Sequence, residues 1–134
     1  MEVLLGWATL ELDRAADEIA RTIGAGHNAV VRPGPDDELL GARTRLLECE
    51  PGVRIVLLEP KTEGRIAASL VRFGEGVVAE YVIVEDELER VASRVGKAGL
   101  GLSTEADGPF GRQRLVAPGR AWGAHLILAA RRER

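Results

Sequence analysis

The chain has 134 residues, 46% of them apolar and 29% charged, with a formal net charge of -3 at pH 7. That length suffices for a hydrophobic core without disulfide or metal staples, and the charge offers no basic footprint for a phosphate backbone. Cys49 is the only cysteine, which excludes an internal disulfide and a thiolate metal cluster within one chain. No apolar run reaches the ~20 residues of a membrane span. The expectation is a cytoplasmic, soluble protein with one domain over 1–134, and with neither nucleic acid nor membrane as partner.

Val3 to Leu12 reads as a strand that gives way at Asp13, a helix N-cap type. In the helix that follows, Ala15, Ala16, Ile19, Ala20 and Ile23 recur at helical spacing, and Gly24 and Gly26 stop it. Short strands come next: Ala29 to Val31, cut by Pro33-Gly34-Pro35; Ala42 to Cys49, cut by Pro51-Gly52; and Val53 to Leu58, ended at Pro60. Arg65 to Val71 is a short helical crossing, and Gly74-Glu75-Gly76 a turn into a strand. That Gly-rich turn is no phosphate loop, because no helix N-terminus follows it.

Then the pattern begins again. Val77 to Val84 is a strand, and Asp86 to Ala98 a helix with Leu88, Val91, Ala92 and Val95 on one face. Three more short strands follow, roughly Gly101 to Thr104, Arg112 to Val116 and Ala124 to Ala129. The fold class is therefore α+β: two tandem βαβββ modules, about 1–60 and 72–134 with 61–71 between them, forming a curved mixed sheet around a cavity. Such a cavity is the expected place for a small-molecule ligand.

Several stretches carry a family resemblance. IVLLEP at 55–60, EGRIAASL at 63–70 and FGEG at 73–76 resemble the "LLEP … SPIAKFL … RGEG" passage of methylmalonyl-CoA epimerases. GPFGRQRLVAP at 108–118 and WGAHLIL at 122–128 resemble that family's closing strands, and DRAA at 13–16 fits its first helix. The resemblance implies the vicinal-oxygen-chelate fold shared with glyoxalases and bleomycin-resistance proteins, and a superfamily habit of pairing chains as homodimers.

In that family four side chains, one from each of four strands, hold a divalent metal. Carried across, those positions fall on Leu4, Val56, Ala79 and Ile127, none of which has a donor atom. A slip of two residues in the first strand gives Gly6, which cannot ligate either. The family's carboxylate base falls on Thr44, whose hydroxyl cannot deprotonate a carbon acid unaided. No metal or other cofactor is expected, and the Lewis acid that stabilises an enolate in epimerase and glyoxalase chemistry is missing. His27 and His125 are single histidines, more often structural than ligating.

Strand alternation supplies the remaining candidates. If Ile127 and Ala79 face inward, so do His125 and Tyr81, the first suited to general acid or base work and the second to donating a hydrogen bond to an oxyanion. The plain alternative is that both are wall residues. Leu4, Thr44, Val56, Ala79 and Ile127 would line the cavity, Arg54 and Arg112 could grip a carboxylate or phosphate at its mouth, and Trp122 could cover an aromatic ligand. Glu48, Glu50 and Glu59 read as structural or solvated. Three functions fit: a metal-independent enzyme acting on a small, largely apolar molecule by proton transfer, isomerisation or cyclisation; a bleomycin-resistance-type binder that sequesters without chemistry; and an acyl-CoA binder without epimerase activity. A degenerate partner subunit, whose surface matters rather than its cavity, is a further possibility.

Overall fold

The computed structural model describes residues 2–22, 29–49, 52–61, 63–116 and 125–131. The elements in chain order are β1 (Glu2–Ala8), α1 (Leu12–Thr22), β2 (Val30–Asp37), β3 (Ala42–Cys49), β4 (Val53–Pro60), α2 (Arg65–Phe73), β5 (Gly76–Val84), α3 (Leu88–Lys97), β6 (Ala106–Gly108), β7 (Gly111–Val116) and β8 (His125–Ala130). All eight strands join one sheet in the order β2-β3-β4-β1-β5-β8-β7-β6. The order is symmetric about its middle. β1 pairs parallel with β4 and β5 parallel with β8, while β1 and β5 meet antiparallel at the seam. This is the repeated βαβββ pattern laid out in space. Among the described residues no helix is long and apolar enough to cross a membrane.

Helices α1 and α3 cover the outer face of the sheet, one per half. Leu12 and Ala16 of α1 pack with Leu47, Cys49 and Leu57, against which Trp7, Ile19 and Ile55 also lie. Leu88 of α3 packs with Val116 and Leu128, joined by Val91 and Val95. On the other face, alternation along each strand turns a second set inward: Leu4 and Ala8, Val56 and Leu58, Ala79, Tyr81 and Ile83, Ile127 and Ala129, and Leu115, all in one buried cluster.

Three elements differ from the sequence expectation. The first strand ends at Ala8 rather than Leu12, because the Thr9 side chain turns the chain: its Oγ1 accepts the Glu11 N–H at 3.0 Å, and the Glu11 carbonyl accepts the Ala15 N–H at 3.0 Å. Glu11, not Asp13, therefore accepts at the helix entrance. The strand expected to break at Pro33-Gly34-Pro35 runs on through it as β2. It lies at the sheet edge, where a residue without an N–H costs no ladder bond on the solvent side. Finally, Gly101 to Thr104 gives one isolated bridge, Leu102 to Val116, and the strand forms later at Ala106–Gly108, where a tight turn brings Gly108 opposite Gly111.

The two outer ends of the sheet curl toward each other across the concave face. The Glu38 N–H donates to the Asp107 carbonyl at 3.0 Å, and the Asp107 N–H donates to the Glu38 carboxylate at 3.3 Å. The turns they carry bring Leu40 and Phe110 over the sheet, while Ile66 of α2 closes on the same cluster. Gly41 at the β2–β3 turn has φ 67°, a conformation that disfavours any side chain.

Candidate functional site

The concave face is built from cross-strand rows. Leu46, Val56, Gly6, Ala79 and His125 are successive register partners across β3, β4, β1, β5 and β8. The next row runs Leu4, Tyr81, Ile127 and Leu115. The four positions that the resemblance equates with metal ligands thus fall together, in two adjacent rows of one face. Their relative exposures are 2% for Leu4, 1% for Val56, and 0% for Ala79 and Ile127, so no water-sized space adjoins them. Neither the donor set nor the packing fits a cation, which needs oxygen or nitrogen ligands in place of its hydration. Among the described residues no group of three or more His, Cys, Asp or Glu side chains could hold a metal ion.

Tyr81 occupies the middle of this arrangement. Its Cα partners are Leu4 on one side and Ile127 on the other. A Cβ on Gly6 would come within 3.2 Å of the Tyr81 ring, so Gly6 leaves the space the ring takes. The ring meets Phe110 edge-on, with centroids 5.6 Å apart. Its hydroxyl, fully buried, donates to Asp37 Oδ2 at 2.7 Å. Burial first, then the charge of Asp37 and the hydrogen bond to it, hold the phenol well above its ordinary pKa, so Tyr81 is a neutral donor.

Asp37 was not singled out in the sequence. It closes β2, is 1% exposed, and its Oδ1 accepts the Leu40 N–H at 2.9 Å across the turn. Burial pushes its pKa up, and the Gln113 amide, the Tyr81 hydroxyl and the Leu40 and Leu39 amides offset this in part. Gln113 on β7 is also fully buried on the same face. A carboxyl, a phenol and a carboxamide from three strands therefore converge inside an otherwise apolar cluster. Alternation along Arg112 to Val116 could have flagged Gln113, since it shares a face with Leu115. The burial of Asp37, within the acidic run Asp36-Asp37-Glu38, carried no such signal.

The other expected residues are placed as follows. His125 is half-buried, and its Nδ1 lies 3.1 Å from the Val78 carbonyl. A carbonyl oxygen only accepts, so Nδ1 carries a proton, which leaves Nε2 as the acceptor in the neutral ring. Thr44 is buried and donates to the Pro35 carbonyl at 2.8 Å, directly over Gly34. Arg54 pairs with Glu2, which also takes Arg131 at 2.7 Å. Burial alone would raise the Glu2 pKa, but the bond and charge of Arg54, then those of Arg131, bring it below the usual range. Arg112 faces away from the cluster, 54% exposed and paired with Glu105 and Asp107 at 2.9 and 3.1 Å. Trp122, His27 and Glu50 lie outside the described residues. The structure brings Tyr81, His125 and the four apolar positions to one face, and does not bring Arg112 to them.

Three hollows bounded by described residues lie elsewhere. One of about 390 Å³ runs between the end of α2 and the start of β5, past Phe73, Glu75 and Val78. Two more, of about 520 and 240 Å³, flank α1.

No protein-family model matches the chain, and no curated protein matches it. Solved structures do. Methylmalonyl-CoA epimerase from Mycobacterium tuberculosis superposes with a TM-score of 0.80 at 24% identity, over 96% of this chain and 86% of that one. A hypothetical protein from Bacillus halodurans gives 0.76 at 20%, over 97% and 93%. Streptomyces coelicolor methylmalonyl-CoA epimerase in complex with 2-nitronate-propionyl-CoA gives 0.76 at 22%, over 96% and 95%. The chain therefore has the vicinal-oxygen-chelate fold of the methylmalonyl-CoA epimerases, as its sequence resemblance implies.

Proposed function

We propose that this protein is a metal-independent relative of the epimerases and glyoxalases that acts on a small, largely apolar molecule by proton transfer. One observation carries the reading. Between Leu4 and Ile127, two of the positions that the resemblance equates with metal ligands, lies a buried phenol, Tyr81, hydrogen-bonded to a buried carboxyl, Asp37. A neutral phenol in a low-dielectric interior can stabilise a developing enolate oxygen by donating a hydrogen bond, without a metal.

In this reading the ligand oxygen takes the place of Asp37 as acceptor of the Tyr81 proton, and His125 Nε2 at the edge of the same face moves the proton. The protein works in the cytoplasm, and as a pair of chains. The test is proton exchange. Small ketones and acyl thioesters are incubated with the chelator-treated protein in deuterium oxide and followed by mass spectrometry. Deuterium incorporation that falls in His125→Ala and Tyr81→Phe supports the reading; incorporation unchanged in both variants refutes it.

A second reading is a degenerate partner subunit, whose surface matters rather than its cavity. The closure of the face supports it, since Tyr81 and all four apolar positions are at most 2% exposed. Small ketones and acyl thioesters that neither bind nor exchange decide for it.

A further inference from the structure

Strand β5 carries one residue more than β1 can match. Gly6 has Ala79 as its register partner and Trp7 has Val77, so Val78 has no partner on β1. The burial pattern marks the same insertion. Val77 is 48% exposed and Glu80 is exposed, while Val78 and Ala79 between them are both buried in the concave cluster, where strict alternation would turn one of them outward. The bulge leaves the phase intact on either side: Val77 lies beside Trp7, and Ala79, Tyr81 and Ile83 stay on the concave face.

The inserted residue is the one that holds His125. Its carbonyl lies 3.1 Å from His125 Nδ1, although the register partner of His125 is the next residue, Ala79. His125 Nε2 has no partner among the described residues. A carbonyl only accepts, so the neutral ring carries its proton on Nδ1, the form that a histidine side chain free in water populates less.

We infer that the β5 bulge at Val78 is a positioning device for His125: the inserted carbonyl takes the Nδ1 proton, fixes the ring and its tautomer, and leaves Nε2 as the accepting nitrogen. Val78 acts here through its backbone, so its apolar side chain gives no hint of the role. The inference rests on the proposed reading in giving His125 the proton-moving task; the tautomer itself is set by the bulge whether or not a proton is transferred.

The experiment is NMR of the wild-type chain with nitrogen-labelled histidine, at alkaline pH, with His27→Gln used to assign the two rings. His125 is expected to be protonated on Nδ1, with a coupling through the hydrogen bond to the Val78 carbonyl carbon, a result that needs no variant to fold. Deleting Val78 closes the register, since Val77 and Ala79 then follow each other opposite Trp7 and Gly6 with both faces kept. In that variant the ring loses its acceptor and should shift to the Nε2-protonated form favoured in water. Val78→Ala keeps the carbonyl and should keep the tautomer. Wild-type His125 protonated mainly on Nε2, Nδ1 protonation that survives the deletion, or its loss in Val78→Ala overturns the inference. Nδ1 protonation without deuterium exchange would refute the proton-transfer reading and leave the role of the bulge standing; deuterium exchange with Nε2 protonated would do the reverse.

Discussion

Tyr81→Phe removes one of the donors that hold the buried Asp37 carboxyl, which the Leu40 amide also holds at 2.9 Å. The lost bond is 2.7 Å long and sealed from water, so no solvent molecule replaces it. A hydrogen bond to a charged acceptor contributes about 1.5–3 kcal/mol, and for a chain of this size each kcal/mol moves Tm by about 3–4 °C. The variant should therefore melt roughly 5–10 °C lower near neutral pH.

Its pH dependence is the sharper part. Burial raises the folded-state pKa of Asp37 above its unfolded value, so the stability that the protonated form confers is full below the ordinary carboxylate range and is lost as pH rises through the raised value. The Tyr81 bond lowers that value and so limits the loss. Without it the deficit of Tyr81→Phe is smallest in acid and grows as pH climbs past the carboxylate range. Urea unfolding followed by tryptophan fluorescence across that range measures this, and Asp37→Asn should flatten the profile. A deficit that does not change with pH, or no coupling between the two substitutions in a double-mutant cycle, would refute the reasoning.

Gln113→Leu removes the first of the groups that lower the Asp37 pKa, so any stability deficit of the variant should grow as pH rises past the carboxylate range; urea midpoints across that range report it. Ile127→Glu, which restores a carboxylate where the family's ligand stands, should cost roughly 3 kcal/mol or more, since the charge is buried beside Tyr81 and Leu115 without a partner. That deficit should shrink in acid, as the new carboxyl protonates. Glu2→Gln breaks the bridges to Arg54 and Arg131, which are partly solvated, and should cost under about 1 kcal/mol, with a difference that fades in high salt.

The repeated βαβββ order was legible because its cues are local. Helical spacing at Leu88, Val91, Ala92 and Val95 marks α3, and Gly-Pro clusters mark most strand ends. Pro33 and Pro35 misled because their effect depends on position: at an edge they do not end a strand, and nothing local says which strand lies at the edge. The site was half legible. Alternation placed Tyr81 and His125 on the face of Ala79 and Ile127, but Tyr81 finds its partner in Asp37, 44 positions away, through the curl that brings the outer turns over the sheet. A contact made by sheet curvature leaves no periodic trace in the sequence.

The most direct test is metal analysis of the protein purified from cells grown with added cobalt and zinc, together with its thermal unfolding before and after chelation and after adding each ion back. No stoichiometric metal and the same melting curve in every state are expected, because Leu4, Val56, Ala79 and Ile127 offer no donor. One equivalent of bound metal, lost to chelator with a fall in Tm and restored by the ion, would contradict that expectation.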